Sequence, residues 1–191
     1  MKKISEIIKP FSAIIFGALF FLLYFNLLRA DGEALAIGII ATIISAYYLA
    51  VGIVTFILGD KISGGLKKVF DIVSVSAFPL FVFIYSLLMV IDAADFIGPA
   101  GWIIMIVSLI GSILACAFCA LAIALSNNKV LVRLGYLFAS VFVLVLLMQL
   151  LFQVDGTPNV IGNIVIVELV VYILFASMLF STFKSEEKAS E

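Results

Sequence analysis

Six long apolar runs decide what this chain can become. The hydrocarbon core of a bilayer is about 30 Å thick, and about 20 apolar residues in a helix cross it. Within one segment, only a helix satisfies all of its own backbone polar groups there. The runs are Phe11 to Leu28, Ala34 to Leu58, Val69 to Ile91, Trp102 to Leu125, Leu131 to Phe152 and Val160 to Phe180, each bounded by charges or turn residues. Hydrophobic residues make up 65% of the chain and charged residues 12%, with a mean hydropathy of +1.36. Soluble domains hold about 45–50% apolar residues, so lipid is the expected solvent. The expected fold is all-α: a polytopic six-transmembrane-helix bundle forming one membrane domain over residues 1–183, with a frayed cytoplasmic tail at 184–191.

Lysines ahead of the first run give it the flavour of a signal peptide. Its apolar stretch is longer than a signal core, however, and the following LLRADGEA offers no small-residue cleavage pattern, so a retained helix is expected. Orientation follows from the short connections. Lys2, Lys3, Lys9, Lys61, Lys67, Lys68, Lys129, Arg133, Lys184 and Lys188 all fall on one side of a six-helix arrangement, and Arg29 alone falls on the other. Positive charge marks the cytoplasmic face, so both termini are expected in the cytoplasm, and the plasma membrane is the expected location. Asp31, Glu33, Asp92, Asp95 and Asp155 take the far side.

Each odd-numbered run also begins near a cation (Lys9, Lys68, Arg133) and ends near an acid (Asp31, Asp92, Asp155) 22 to 24 residues later. A threefold helical-hairpin repeat would look like this, and so would any six-helix chain obeying the charge rule.

Composition removes several functions. A net charge of −1 leaves no basic field for nucleic acid. Without a single histidine there is no His-based triad, no His-ligated haem and no ordinary catalytic zinc site. No GxSxG elbow and no pair of membrane-depth aspartates can be assembled, so the chain is expected not to be an enzyme, with no cofactor and no metal. Cys116 and Cys119 form CAFC inside an apolar run, where small packing residues explain them better than redox or metal chemistry.

Three features can carry function. In the fourth run Ser108, Ser112, Cys116, Ala120 and Ala124 recur every four residues, flanked by Gly111, Ala115 and Cys119. Small residues let helix backbones approach closely in lipid, so this face is expected to dock another helix, within the chain or on a partner. Glu168 is the one acid deep in a run, roughly 12 Å below the boundary by helical rise. No Lys or Arg is available at that depth, so a neutral carboxyl is expected there. Tyr172, one turn on, is placed to donate to it, and Gln149, Gln153 and Asn163 would add polar groups to a pocket opening outward. Finally, Pro79 should kink the third run, with Ser76 able to satisfy a freed backbone group. Asp71 is expected to pair with Lys67 and Lys68 one turn earlier.

Two functional classes follow. The first is a non-enzymatic accessory or assembly subunit, packing against another membrane protein or against itself as a homo-oligomer in the lipid. The second is a small-solute or ion transporter or channel, proton-coupled through Glu168. The scarcity of polar groups in the runs favours the first.

Overall fold

A computed structural model describes residues 4–92, 99–154 and 161–189. Asp95 and Asp155, assigned above to the far-side turns, lie outside these residues, as do Lys2 and Lys3; the side chains of Asp92, Gln153, Asn163, Lys184 and Lys188 are likewise not described. The helices are α1 (Ile4–Tyr24), α2 (Gly32–Leu58), α3 (Gly64–Asp92), α4 (Pro99–Ala124), α5 (Lys129–Val154) and α6 (Ile161–Ala189), with 3₁₀ turns at Phe25–Arg29 and Gly59–Lys61. All six helices are long and apolar enough to cross a membrane.

Local chemistry sets the ends. Gly59 adopts φ 42°, a left-handed value that a side chain would strain, and its N–H donates to the Thr55 carbonyl as α2 stops. Ser63 begins α3, its hydroxyl accepting the Leu66 N–H at 3.4 Å. Asn128 caps α5, its Oδ1 accepting the Val130 N–H at 3.0 Å. Pro99 occupies the first position of α4, where its missing N–H costs nothing. α6 runs on as helix through Ala189, past the point where a frayed tail was expected. Lys, Glu and Ala in KSEEKA are strong helix formers, which carries the helix beyond the apolar stretch.

The helices pack in chain order around a ring, each against its sequence neighbours, and α6 closes onto α1; the α2–α3 seam is the loosest, and α3 leans inward to touch α6. At the α1–α2 seam the backbones meet through glycine. A Cβ on Gly52 would lie 2.6 Å from Ile14 Cγ1 and 3.0 Å from the Pro10 carbonyl oxygen, and one on Gly17 would lie 2.8 Å from the Ser45 carbonyl oxygen. Gly135 of α5 does the same against Ala122 of α4 and Phe183 of α6.

The centre is aromatic. Phe16 (α1), Phe78 (α3), Phe142 (α5) and Phe175 (α6) are all buried, and Phe78 is the hub, with ring centroids 5.2 Å from Phe16, 6.2 Å from Phe142 and 4.7 Å from Phe175. The outside is equally apolar: Ile43, Ile57, Ile103, Leu144 and Ile173 are each exposed by more than half. A water-soluble protein does not present such a belt on all its helices, whereas a lipid-solvated one must.

Candidate functional site

Helical spacing builds a cavity beside the aromatic hub. Residues three and four apart share a helix face. Phe20, Leu23 and Tyr24 of α1, Phe78, Phe81, Val82 and Tyr85 of α3, and Glu168, Val171 and Tyr172 of α6 each follow that rule, and Ile104 and Met105 of α4 and Gln149 of α5 complete the wall. The cavity has a volume of about 330 Å³, at the lower end of the range of about 300–1,000 Å³ typical of small-molecule pockets. These positions lie late in α1, α3 and α5 and early in α4 and α6, so the cavity occupies the half of the bundle nearer the α1–α2, α3–α4 and α5–α6 connections.

Its polar inventory is short. Glu168 Oε2 is buried and has no hydrogen-bond partner among the described residues. Gln149 is held in place: its amide donates to the Ser108 hydroxyl at 2.7 Å, and that hydroxyl donates to the Ile104 carbonyl at 2.7 Å. Tyr172 lines the same cavity, but the expected donation to Glu168 does not form; its ring instead sits 6.1 Å from that of Phe78. Glu168, Tyr172 and Gln149 are thus brought together, whereas Asn163 lies in α6 with its side chain outside the described residues. Among the described residues the lining contains no Lys or Arg. Such a site can hold a proton on its carboxyl, or take a cation or hydrogen-bond donor against it, with aromatic faces on several sides.

Sequence reasoning missed Tyr24, Tyr85 and the phenylalanines of this wall. The signal was present in two aromatic ladders, Phe16-Phe20-Tyr24 and Phe78-Phe81-Tyr85, each at helical spacing. What periodicity does not contain is which helix each ladder faces.

The small-residue face of α4 departs from its expected register. Ser108, Ser112, Ala115, Cys119 and Ala122 are buried; Gly111, Cys116 and Ala120 are half-buried; Ala124 is exposed. A strict four-residue step drifts by about 40° each time around a helix of 3.6 residues per turn, so the run rotates away from the bundle before Ala124. The buried set alternates steps of four and three. It lies in a helix packed between α3 and α5: a Cβ on Gly111 would be 3.1 Å from Val145 Cγ2, and the Cys119 thiol points at the Gly135 carbonyl oxygen, 3.8 Å away.

A second polar layer sits in the opposite half. Asp71 Oδ1 and Lys9 Nζ form an ion pair at 2.5 Å, with the two side chains only 5% and 18% exposed. This corrects the expected partners. Lys67 is exposed and Lys68 half-exposed toward the end of the bundle, whereas Asp71 faces inward, where α1 delivers Lys9 from 62 residues away. Alongside, the Tyr47 hydroxyl donates to the Phe70 carbonyl at 2.9 Å and that of Tyr48 donates to the Ser74 carbonyl. Three helices are tied together by these groups.

Pro79 lies within an unbroken α3, and Ser76 does not serve the carbonyl that proline frees. Its hydroxyl donates to Ile72 at 2.8 Å, whereas the orphaned acceptor four residues before Pro79 belongs to Val75. The side chain therefore makes an ordinary back-bond one turn too early.

Compared with protein-family models, curated proteins and solved structures, the chain matches none. The site therefore has to be interpreted from its own chemistry.

Proposed function

We propose that this chain is a multi-pass protein of the plasma membrane, both ends cytoplasmic, that moves a small solute across the bilayer through the Glu168 cavity in exchange with a proton. One observation carries this: a carboxyl oxygen buried without a partner, in a cavity to which five helices contribute and which holds no compensating cation. An acid inside a membrane domain is expensive and characteristically faces a cavity or partner that neutralises it. A proton and a solute donor would compete for the same oxygen, and mutually exclusive occupancy is the thermodynamic basis of coupled exchange.

The alternative, an accessory subunit, leans on the small-residue face of α4. That face is largely taken up between α3 and α5, which leaves little of it to offer a partner. Positive charge at Lys61, Lys67, Lys129 and Arg133 supports the orientation, because all four belong to the end that also holds the termini.

The test is reconstitution of wild-type and Glu168→Gln protein in liposomes made acidic inside and carrying an internal pH dye, with a tetraalkylammonium salt, a sugar and an amino acid supplied outside in turn so that a counter-solute is present. Wild type should show protein-dependent proton movement that Glu168→Gln lowers at least tenfold, with the variant still folded by circular dichroism. Equal movement in both would overturn the reading.

A further inference from the structure

Resting on that reading, the shape and chemistry of the cavity go further and assign its solute. We propose that the Glu168 cavity takes a monovalent organic cation, a tertiary or quaternary amine with an apolar body. Four observations converge. Among the described lining residues the single group that can offer a charge to a ligand near neutral pH is an acid, and no Lys or Arg opposes it. Its Oε2 is buried and unpartnered, so a positive group entering the cavity meets an acceptor that nothing in the protein already uses. Six aromatic rings, from α1, α3 and α6, line the same space, and ring faces attract an ammonium most strongly where water is excluded. Finally, apart from the Gln149 amide the remaining wall is aliphatic or thioether (Leu23, Val82, Ile104, Met105, Val171), which suits a hydrocarbon body and offers no positive charge to an amino-acid carboxylate among the described residues.

Neutral alternatives fit less well. An uncharged apolar ligand would leave Glu168 as unsatisfied as before, and a neutral polyol, although it could bond the tyrosine hydroxyls and the remaining Gln149 amide atoms, would leave the charge of the carboxylate uncompensated. The groups facing Glu168 are the phenols of Tyr24 (α1), Tyr85 (α3) and Tyr172 (α6), with neutral Gln149 from α5 and apolar Ile104 and Met105 from α4. With one carboxyl and no other charged side chain among the described lining residues, occupancy is one proton or one cation, so the exchange is one for one and electroneutral.

The experiment uses full-length protein purified in detergent, titrated calorimetrically with benzyltrimethylammonium and with N,N-dimethylbenzamide, a neutral probe of similar size. Saturable binding of the cation is expected, at least tenfold tighter than the amide, weakening as pH is lowered because a proton competes for Glu168. Glu168→Gln should abolish both the preference and the pH dependence. Tyr85→Leu should weaken the cation roughly three- to thirtyfold, whereas Tyr85→Phe, which keeps the ring, should not. Equal affinity for the two probes, or a preference that survives Glu168→Gln, overturns the cation assignment. Should neither probe bind while proton movement still depends on Glu168, the cation class falls and the solute pathway stands. Should that proton movement also be indifferent to Glu168, both fall together.

Discussion

A carboxyl group withdrawn from water must be neutralised by a proton, a cation or hydrogen-bond donors. Asp71 and Glu168 solve this differently. Asp71 has Lys9 within 2.5 Å, in a layer where Tyr47, Tyr48 and Ser74 hold α2 and α3 together. Removing one member of a buried pair strands the other charge and costs about 3–5 kcal/mol in soluble proteins. Asp71→Asn and Lys9→Met should therefore each lower the thermal midpoint of the detergent-purified protein markedly. The double variant should recover most of the loss, and additive losses would show that the pair is not coupled. Glu168, by contrast, is left without a partner, and Glu168→Gln should change thermal stability much less than Asp71→Asn while removing proton movement. Both acids were visible in the sequence. The pairing of Asp71 was not, because Lys9 reaches it from a different helix and local spacing nominates only Lys67 and Lys68.

At the scale of an element, α4 separates packing from composition. Ser112 is fully buried, with its hydroxyl donating to the Ser108 carbonyl at 2.6 Å, whereas Ala124 is exposed although both belong to one small-residue run. Ser112→Leu overfills the contact with neighbouring helices and should destabilise by about 1–3 kcal/mol, with Ala124→Leu staying within about 0.5 kcal/mol. Thermal unfolding of the two purified variants distinguishes them, and equal effects would place the face elsewhere. The six runs were legible because each is long and apolar, and their limits differ from the helices mainly at the start of α1 and the end of α6, the latter because Lys, Glu and Ala there have good helix propensity and continue the hydrogen bonding. Glycine contacts between α1 and α2 were not legible, since Gly17 and Gly52 look alike in sequence to glycines that face open space, such as Gly64 and Gly65.

Over the whole molecule, the polar groups fall into two layers separated by the aromatic hub. One layer is charge-compensated by Lys9 and Asp71; the other holds Glu168 with neutral Gln149 and Ser108 and no cation among the described residues; Phe16, Phe78, Phe142 and Phe175 lie between them. Phe78 contacts rings on three other helices, so Phe78→Ala would leave a hole where they meet. Removing a buried phenylalanine costs about 3–5 kcal/mol in soluble cores, and here it also opens a route between the layers. Passive proton leak in proteoliposomes should rise above wild type as the thermal midpoint falls. The ring order of the helices and this layering come from contacts between distant segments, and hydropathy alone, which reports only the solvent of each helix, does not contain them.

Among the described residues, the cavity holds one carboxyl, Glu168, with no cation beside it. Dicyclohexylcarbodiimide attacks a carboxyl that carries its proton in apolar surroundings and leaves an ion-paired one alone, so mass-spectrometric mapping of the adduct on protein in native membranes measures this directly. Modification at Glu168, with Asp71 untouched, is the predicted result. An unmodified Glu168, or an adduct on Asp71 in its place, would contradict it.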